Sequence, residues 1–149
     1  MTISSYGLSL LLAIIACVIG GVLGGMTLVR PGSVLGLAGL WGEAREEGQE
    51  RRATAVTEGR AFGGLLILSH AFTALFLGYQ SSVGAAMAFA LAMAWLGAAL
   101  GRAVSALVDR SRGRLNIASL AFEVMIAITL SLPFFNAGRL VVMKGAMLV

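Results

Sequence analysis

A chain of 149 residues in which 58% are hydrophobic and only 12% are charged is too apolar for an ordinary soluble domain. Its net charge of +4 comes largely from arginines grouped in two segments, a pattern typical of membrane orientation rather than of nucleic-acid binding. One cysteine and one histidine exclude an internal disulfide and any zinc site built from several such ligands, so we expect no metal and no cofactor.

The hydrophobic stretches predict four transmembrane helices. The first ends before Arg30 and Pro31, because proline cannot continue the helical hydrogen-bond ladder. The stretch between Arg60 and Arg102 has no charged residue and is about twice as long as a hydrocarbon core requires, so it must turn back at its polar segment 78–82. We therefore predict an all-α, polytopic membrane protein, a single four-helix bundle with spans at residues 6–29, 61–77, 83–101 and 115–135.

The arginines predict the orientation of these spans. Nine of them fall in the two segments 30–60 and 102–114, whereas the opposite side of the membrane receives only Arg139 and Lys144. The positive-inside rule then places both segments in the cytoplasm and both termini outside, in the inner membrane of a bacterium. We expect the first span to be retained, because no small-residue cleavage site follows it.

The predicted cytoplasmic segments carry their own signals. Residues 34–41 are apolar but too short to span, so we expect an interfacial segment there. The charged run 43–52 is either a solvated surface or a contact for a protein partner. A cluster of arginines in the second segment is suited to anionic lipid headgroups: Arg110, Arg112 and Arg114.

Small residues recur at helical spacing in two spans. In the first, Gly20 with Gly24 and Gly21 with Gly25 form overlapping Gly-x-x-x-Gly pairs, and Ser9, Ala13 and Cys17 extend the second pair. Small residues let helices in lipid approach closely. We expect the first and third helices to pack together through these faces, or one face to join copies of the chain. The corresponding residues of the third span are Ala86, Ala90, Ala94, Ala98, Gly97 and Gly101.

Two ionisable residues lie within the predicted spans, His70 in the second and Glu123 in the fourth. Each would cost at least about 2.5 kcal/mol at the bilayer centre unless it is paired or hydrated, and both lie at similar depth. Glu123 shares a helical face with Asn116 and Ser119. The sequence leaves open whether His70 and Glu123 form a structural pair, a site for a ligand, proton or lipid headgroup, or serve separate roles.

Charged residues also mark the cytoplasmic ends of the second and third spans. Glu58 and Arg60 precede the second span, and Arg102 follows the third. Each is typical of a boundary anchor at headgroup level, and together they could form an ion-pair cluster beneath Glu123.

These charged residues and the nearby glycines resemble a family of small bacterial four-helix membrane proteins of uncharacterised function, loosely similar to the DoxX-like group. The resemblance runs from the first helix to Ser131. It implies the four-helix fold and implies no activity. The residues that carry it are Glu58, Arg60, Gly63, Gly64, Gly101, Arg102 and Glu123.

Three functions remain open from the sequence. The preferred hypothesis is a non-catalytic accessory or assembly subunit of a larger membrane complex, because the chain has small-residue faces, a charged segment and no recognisable catalytic motif. The alternative is a binder or transporter of a lipid or other hydrophobic molecule, with Glu123 and His70 as its polar end. The third is an intramembrane enzyme that uses the same two residues for acid–base chemistry.

Overall fold

Four α-helices make up the described parts of the chain, residues 5–31, 48–108 and 114–146 of a computed structural model. No strand occurs within these ranges. Each helix contains a segment that is long and apolar enough to cross a membrane, so the predicted all-α polytopic fold is confirmed. The helices are α1 (Ser5–Val29), α2 (Gly48–Tyr79), α3 (Ser81–Val108) and α4 (Arg114–Ala146).

The outward faces of all four helices are apolar. Large hydrophobic side chains are more than half exposed on every helix, which a soluble monomer rarely tolerates over so much of its surface. Lipid is the solvent that accepts such a surface. One example from each helix is Val18, Leu65, Leu100 and Ile128.

The helices extend beyond the predicted spans. α2 begins at Gly48 rather than near residue 61, α3 continues to Val108, and α4 passes through Pro133 to Ala146. The predicted bounds followed the uncharged stretches, but a helix can continue past the hydrocarbon because its backbone bonds do not depend on lipid. The predicted interfacial segment 34–41, residues 43–47 of the charged run 43–52, and Arg110 and Arg112 lie outside the described residues.

A single non-helical residue, Gln80, separates α2 from α3. Its amide donates to the Phe76 carbonyl at 2.8 Å, and its own carbonyl accepts from the Gly84 amide at 2.9 Å. A Cβ on Gly84 would overlap the backbone of Leu77, so only glycine permits this close approach. The junction is therefore shorter than the predicted polar segment 78–82.

The chain divides into two compact units. One comprises residues 19–71, which include the second part of α1 and most of α2. The other comprises residues 1–18 and 72–149, which include the first part of α1, the end of α2, and α3 and α4.

Glycines bring the backbones of α1 and α2 together in the unit formed by residues 19–71. A Cβ on Gly24 would lie 2.8 Å from the Gly63 carbonyl oxygen, and a Cβ on Gly63 would lie 2.7 Å from the Gly24 oxygen. Further along, a Cβ on Gly59 would lie 2.7 Å from the Cβ of Pro31, too close for an ordinary contact, and a Cβ on Gly20 would overlap the ring of His70. As the α1 residue number rises, that of its α2 neighbour falls, so the two helices run antiparallel.

This contact differs from the predicted one. We expected the third helix opposite Gly20 and Gly24, and the structure places α2 there. Gly63 was not part of either predicted stripe, yet it supplies the reciprocal flat surface that brings the two backbones into contact. By contrast, a Cβ on Gly21 or Gly25 would meet no atom within 4 Å among the described residues.

The other unit packs α3 on α4. Phe89 stacks on Phe134 with ring centroids 4.5 Å apart, and Trp95 meets Phe122 edge to face at 6.1 Å. The buried face of α3 is offset from the predicted alanine stripe, because alanines occur on several sides of this helix and only tertiary packing selects among them. The buried residues are Gly84, Ala85, Ala88, Ala92, Trp95 and Ala99, whereas Ala86, Ala90, Ala94, Ala98, Gly97 and Gly101 are exposed.

Valine at position 24 or 63 tests the α1–α2 contact. Gly24→Val and Gly63→Val should each lower the free energy of unfolding by about 1–3 kcal/mol, because the added atoms overlap backbone that cannot yield. Gly21→Val adds the same atoms to open space and is the matched control. Unfolding in mixed detergent micelles with increasing dodecyl sulfate measures the difference, and equal losses in all three variants would contradict the contact.

Candidate intramembrane polar site

An ion pair joins α3 to α4 within the candidate membrane spans. Arg102 Nε donates to Glu123 Oε1 at 2.6 Å. The side chain of Glu123 is 1% exposed and that of Arg102 is 19% exposed. Glu123 lies six residues after Ile117, where its candidate span begins, which corresponds to roughly 9 Å along the helix axis. The pair therefore lies inside the apolar region but toward one end of it.

The helices position the two charged residues through neighbours on their buried faces. Ala99 precedes Arg102 by one turn of α3, and Ala127 follows Glu123 by one turn of α4. These small side chains leave space between the helices for the longer charged ones. Beside them, the contact between Trp95 and Phe122 fixes the approach of α3 to α4, and Phe122 is the residue immediately before Glu123.

One carboxylate oxygen of Glu123 lacks a hydrogen-bond partner among the described residues. Oε2 is buried and has no hydrogen bond from any residue that the structure describes. An ionised carboxylate can accept about four hydrogen bonds, and a buried acceptor without a donor costs about 1–3 kcal/mol. The geometry thus leaves an unfilled acceptor position at the ion pair.

His70 is also buried, at 1% exposure, but its environment differs. Nδ1 lies 2.7 Å from the carbonyl oxygen of Leu66, one turn earlier on α2, and we assign the ring proton to Nδ1 because that oxygen can only accept. The ring edge carrying Nε2 lies against Gly20, where any side chain would overlap it. His70 therefore fills the space that a glycine on α1 provides.

The sequence left open whether Glu123 pairs with His70, and the partner that the structure shows for Glu123 is Arg102. Oε1 accepts from Arg102 and Oε2 has no donor among the described residues, while His70 donates to its own helix. Arginine is always charged and its planar donors suit a carboxylate, so it is the stronger partner. The sequence contained a signal for this pairing. The apolar segment Ser81–Val108 continues past Arg102, so Arg102 lies within the candidate span and not at its end.

The bond between Arg102 and Glu123 does not include three other predicted site residues whose side chains are described, Ser119, Glu58 and Arg60. Ser119 is half-buried one turn before Glu123, and Glu58 and Arg60 are exposed on α2. Asn116 and Arg114 are described by their backbone alone.

A second feature lies on the opposite side of α4. A shallow apolar groove of about 470 Å³ runs along its exposed face and does not include Glu123. Among the described residues no cluster of three His, Cys, Asp or Glu side chains could hold a metal ion. The groove is lined by Ile117, Leu120, Ala121, Val124, Met125, Ile128 and Thr129.

Four apolar helices with a buried Arg–Glu pair define a multi-pass membrane protein. Residues 7–133 match the family described as a domain of unknown function (DUF4345), so the chain belongs to that family. The matched range includes both Arg102 and Glu123. No curated protein and no solved structure matches the chain. That family is uncharacterised, as the family that the sequence resembles was expected to be.

Removing the cation should destabilise the fold. Arg102→Ala leaves a carboxylate buried without its counter-charge, and we expect the free energy of unfolding to fall by about 3–5 kcal/mol. The double variant Arg102→Ala with Glu123→Gln should recover much of that loss, since no charge remains. Arg60→Ala removes an exposed arginine and serves as the control. An Arg102→Ala protein as stable as the control, measured by unfolding in mixed micelles, would contradict the pair.

Proposed function

We propose that this protein binds a lipophilic small molecule within the membrane, with the Arg102–Glu123 pair as the polar end of the site. The observation that carries the proposal is the buried Glu123 Oε2, which has no hydrogen-bond donor among the described residues. Such a molecule would reach the site from the lipid that surrounds the apolar outer surface of the helices.

The unfilled oxygen supports binding over a purely structural ion pair. Within hydrocarbon no bulk water satisfies a stray polar atom, so membrane proteins satisfy such atoms internally. Arginine can bond both oxygens of a carboxylate at once, which would be the most stabilising arrangement for a structural pair. Here the recorded bond joins Arg102 Nε to Oε1, and Oε2 stays available to a donor on another molecule.

Access to the pair is from the side of Arg102. Its side chain is part-exposed, while Glu123 is enclosed. Exposed Val104 and Leu107 follow Arg102 on α3, so an amphipathic molecule would meet apolar surface next to the polar pair. Such a molecule would hold its polar group near the membrane boundary and its apolar part in the hydrocarbon.

The proposed setting is the inner membrane of a bacterium. The segments 30–60 and 102–114 would face the cytoplasm, where most arginines lie and where Arg110, Arg112 and Arg114 could hold anionic headgroups. The loose similarity to the DoxX-like group is part of this proposal. The enzyme hypothesis has less support, because His70 donates to a carbonyl of its own helix.

Native mass spectrometry of the gently extracted protein tests the binding function. The wild-type chain should carry a lipophilic adduct, and Glu123→Gln should lose most of it, because a hydrogen bond to a charged oxygen, worth about 1.5–3 kcal/mol, is replaced at best by a neutral one worth about 0.5–1.5 kcal/mol. Glu58→Gln makes the same chemical change at an exposed position and should retain the adduct. A wild-type chain without any adduct, or an adduct equally present in both variants, would contradict the proposal.

A specific observation also favours the accessory-subunit function. Gly21 and Gly25 on α1 and Gly97 and Gly101 on α3 present open faces, on which a Cβ would meet no described atom within 4 Å. In lipid such faces permit another helix to approach closely. A partner subunit or a second copy of the chain could pack there, and either would be compatible with ligand binding.

Adding side chains to the open face of α3 tests the accessory-subunit function. Gly97→Val with Gly101→Val should dissociate a stoichiometric complex that the wild-type protein retains in mild detergent, as judged by native gels and subunit composition. Gly64→Val also adds atoms to open space, but on α2, and should leave the complex intact. A wild-type protein that migrates as a lone chain, or a complex that survives the double substitution, would count against the accessory role.

A further inference from the structure

We propose that the bound molecule is a lipophilic alcohol whose neutral hydroxyl donates to Glu123 Oε2. This inference rests on the proposed binding function and names the chemical class of the ligand.

Because Oε2 belongs to a carboxylate, the ligand must donate a hydrogen bond to it. An ionised carboxylate accepts hydrogen bonds and donates none, and Arg102 holds Glu123 as a charged partner through Oε1. A ketone, ether or ester head group would face Oε2 with only lone pairs. Such molecules could occupy the apolar surroundings but would leave the oxygen without a donor.

The charge balance determines that the donor is neutral. Arg102 and Glu123 together carry no net charge. An ammonium head group would add a positive charge without a counter-ion at this depth, and a carboxylate or phosphate would face the negative oxygen. Uncompensated charge within a span is costly, so both classes are disfavoured relative to an uncharged donor.

The burial of Oε2 limits the size of the donor. Ala99 and Ala127, each one turn from the ion pair, are 4% and 1% exposed, so the α3–α4 contact is closed around the carboxylate. A hydroxyl is among the smallest hydrogen-bond donors and requires only a small displacement of side chains. A bulky polar head would have to separate α3 from α4 and break their aromatic contacts, among them that of Trp95 with Phe122.

Fluorescence quenching by brominated amphiphiles tests the inference. The chain has two tryptophans, so Trp41→Phe leaves Trp95, which contacts Phe122 beside Glu123, as the sole reporter. The protein is placed in phosphatidylcholine nanodiscs and titrated with four probes that share one dibromostearyl chain. The probes are the alcohol, its methyl ether, the carboxylate and the ammonium.

The alcohol should quench Trp95 saturably and at a concentration at least about tenfold lower than the ether, carboxylate or ammonium, which corresponds to one hydrogen bond. If the ether binds equally, or if a charged probe binds more tightly than the alcohol, the inference is overturned while the binding function stands. If no probe quenches saturably, both are overturned. The comparison of head groups uses the wild-type carboxylate and does not depend on a substituted site folding.

Glu123→Gln in the same background gives an independent readout. The amide oxygen would take the bond from Arg102 and its NH₂ group would occupy the position of Oε2, so the site would become a donor. The preference for alcohol over ether should shrink by at least about fivefold, because the ether can then accept a hydrogen bond. Glu58→Gln should keep the full preference, and a preference unchanged by Glu123→Gln would overturn the inference.

Discussion

The bond between Arg102 and Glu123 connects the polar chemistry of this protein to its fold. Each residue alone would be a charge within an apolar span, so each would lower the stability of the fold without the other. Their pairing requires the face of α3 that carries Ala99 to meet the face of α4 that carries Ala127. The packing of α3 on α4 and the chemistry of the site therefore cannot change independently. A substitution that rotated either helix would both expose a charge and remove the site.

Glycine has two separate roles in these helices. Gly24 and Gly63 permit backbone contact between α1 and α2, and Gly84 permits the close junction between α2 and α3. At these positions the absence of a side chain is a condition of the fold. A Cβ on Gly21 or Gly97 would meet no atom within 4 Å among the described residues, so the described contacts do not explain these two glycines. The distinction matters because Gly24 and Gly21 look alike in the sequence, where both belong to the same small-residue pattern of α1.

Much of the fold could be predicted from the sequence, because the lipid solvent imposes simple requirements on length and polarity. The number of helices, the inward position of Glu123 and the close contact at Gly20 and Gly24 follow from those requirements. The requirements of length and polarity do not determine which residues contact Glu123, Gly20 and Gly24. A single sequence gives the depth of a residue and the face it occupies, but not which helix lies opposite. Alanine on several sides of α3 also made its buried face ambiguous, so the predicted stripe was offset from the observed one.

The ion pair was missed for a related reason. Arg102 ends the uncharged stretch, and an arginine at such a boundary usually extends toward the headgroups. Here α3 continues six residues further, to Val108, and the guanidinium turns inward to a carboxylate instead. The extent of a helix beyond its hydrophobic stretch depends on contacts that the hydropathy pattern does not contain.

The two buried ionisable residues differ in whether their hydrogen bonds are satisfied. Within lipid, that difference is a better guide to function than the presence of an ionisable group. His70 bonds a carbonyl of its own helix and fits against Gly20, so the fold accounts for its presence. Glu123 has a partner for one oxygen and none among the described residues for the other, and a bilayer offers no bulk water to complete it. If Glu123 only stabilised the fold, we would expect both of its oxygens to accept hydrogen bonds, because each unsatisfied acceptor reduces stability. The unfilled oxygen therefore supports the proposal that Glu123 binds a molecule beyond this chain.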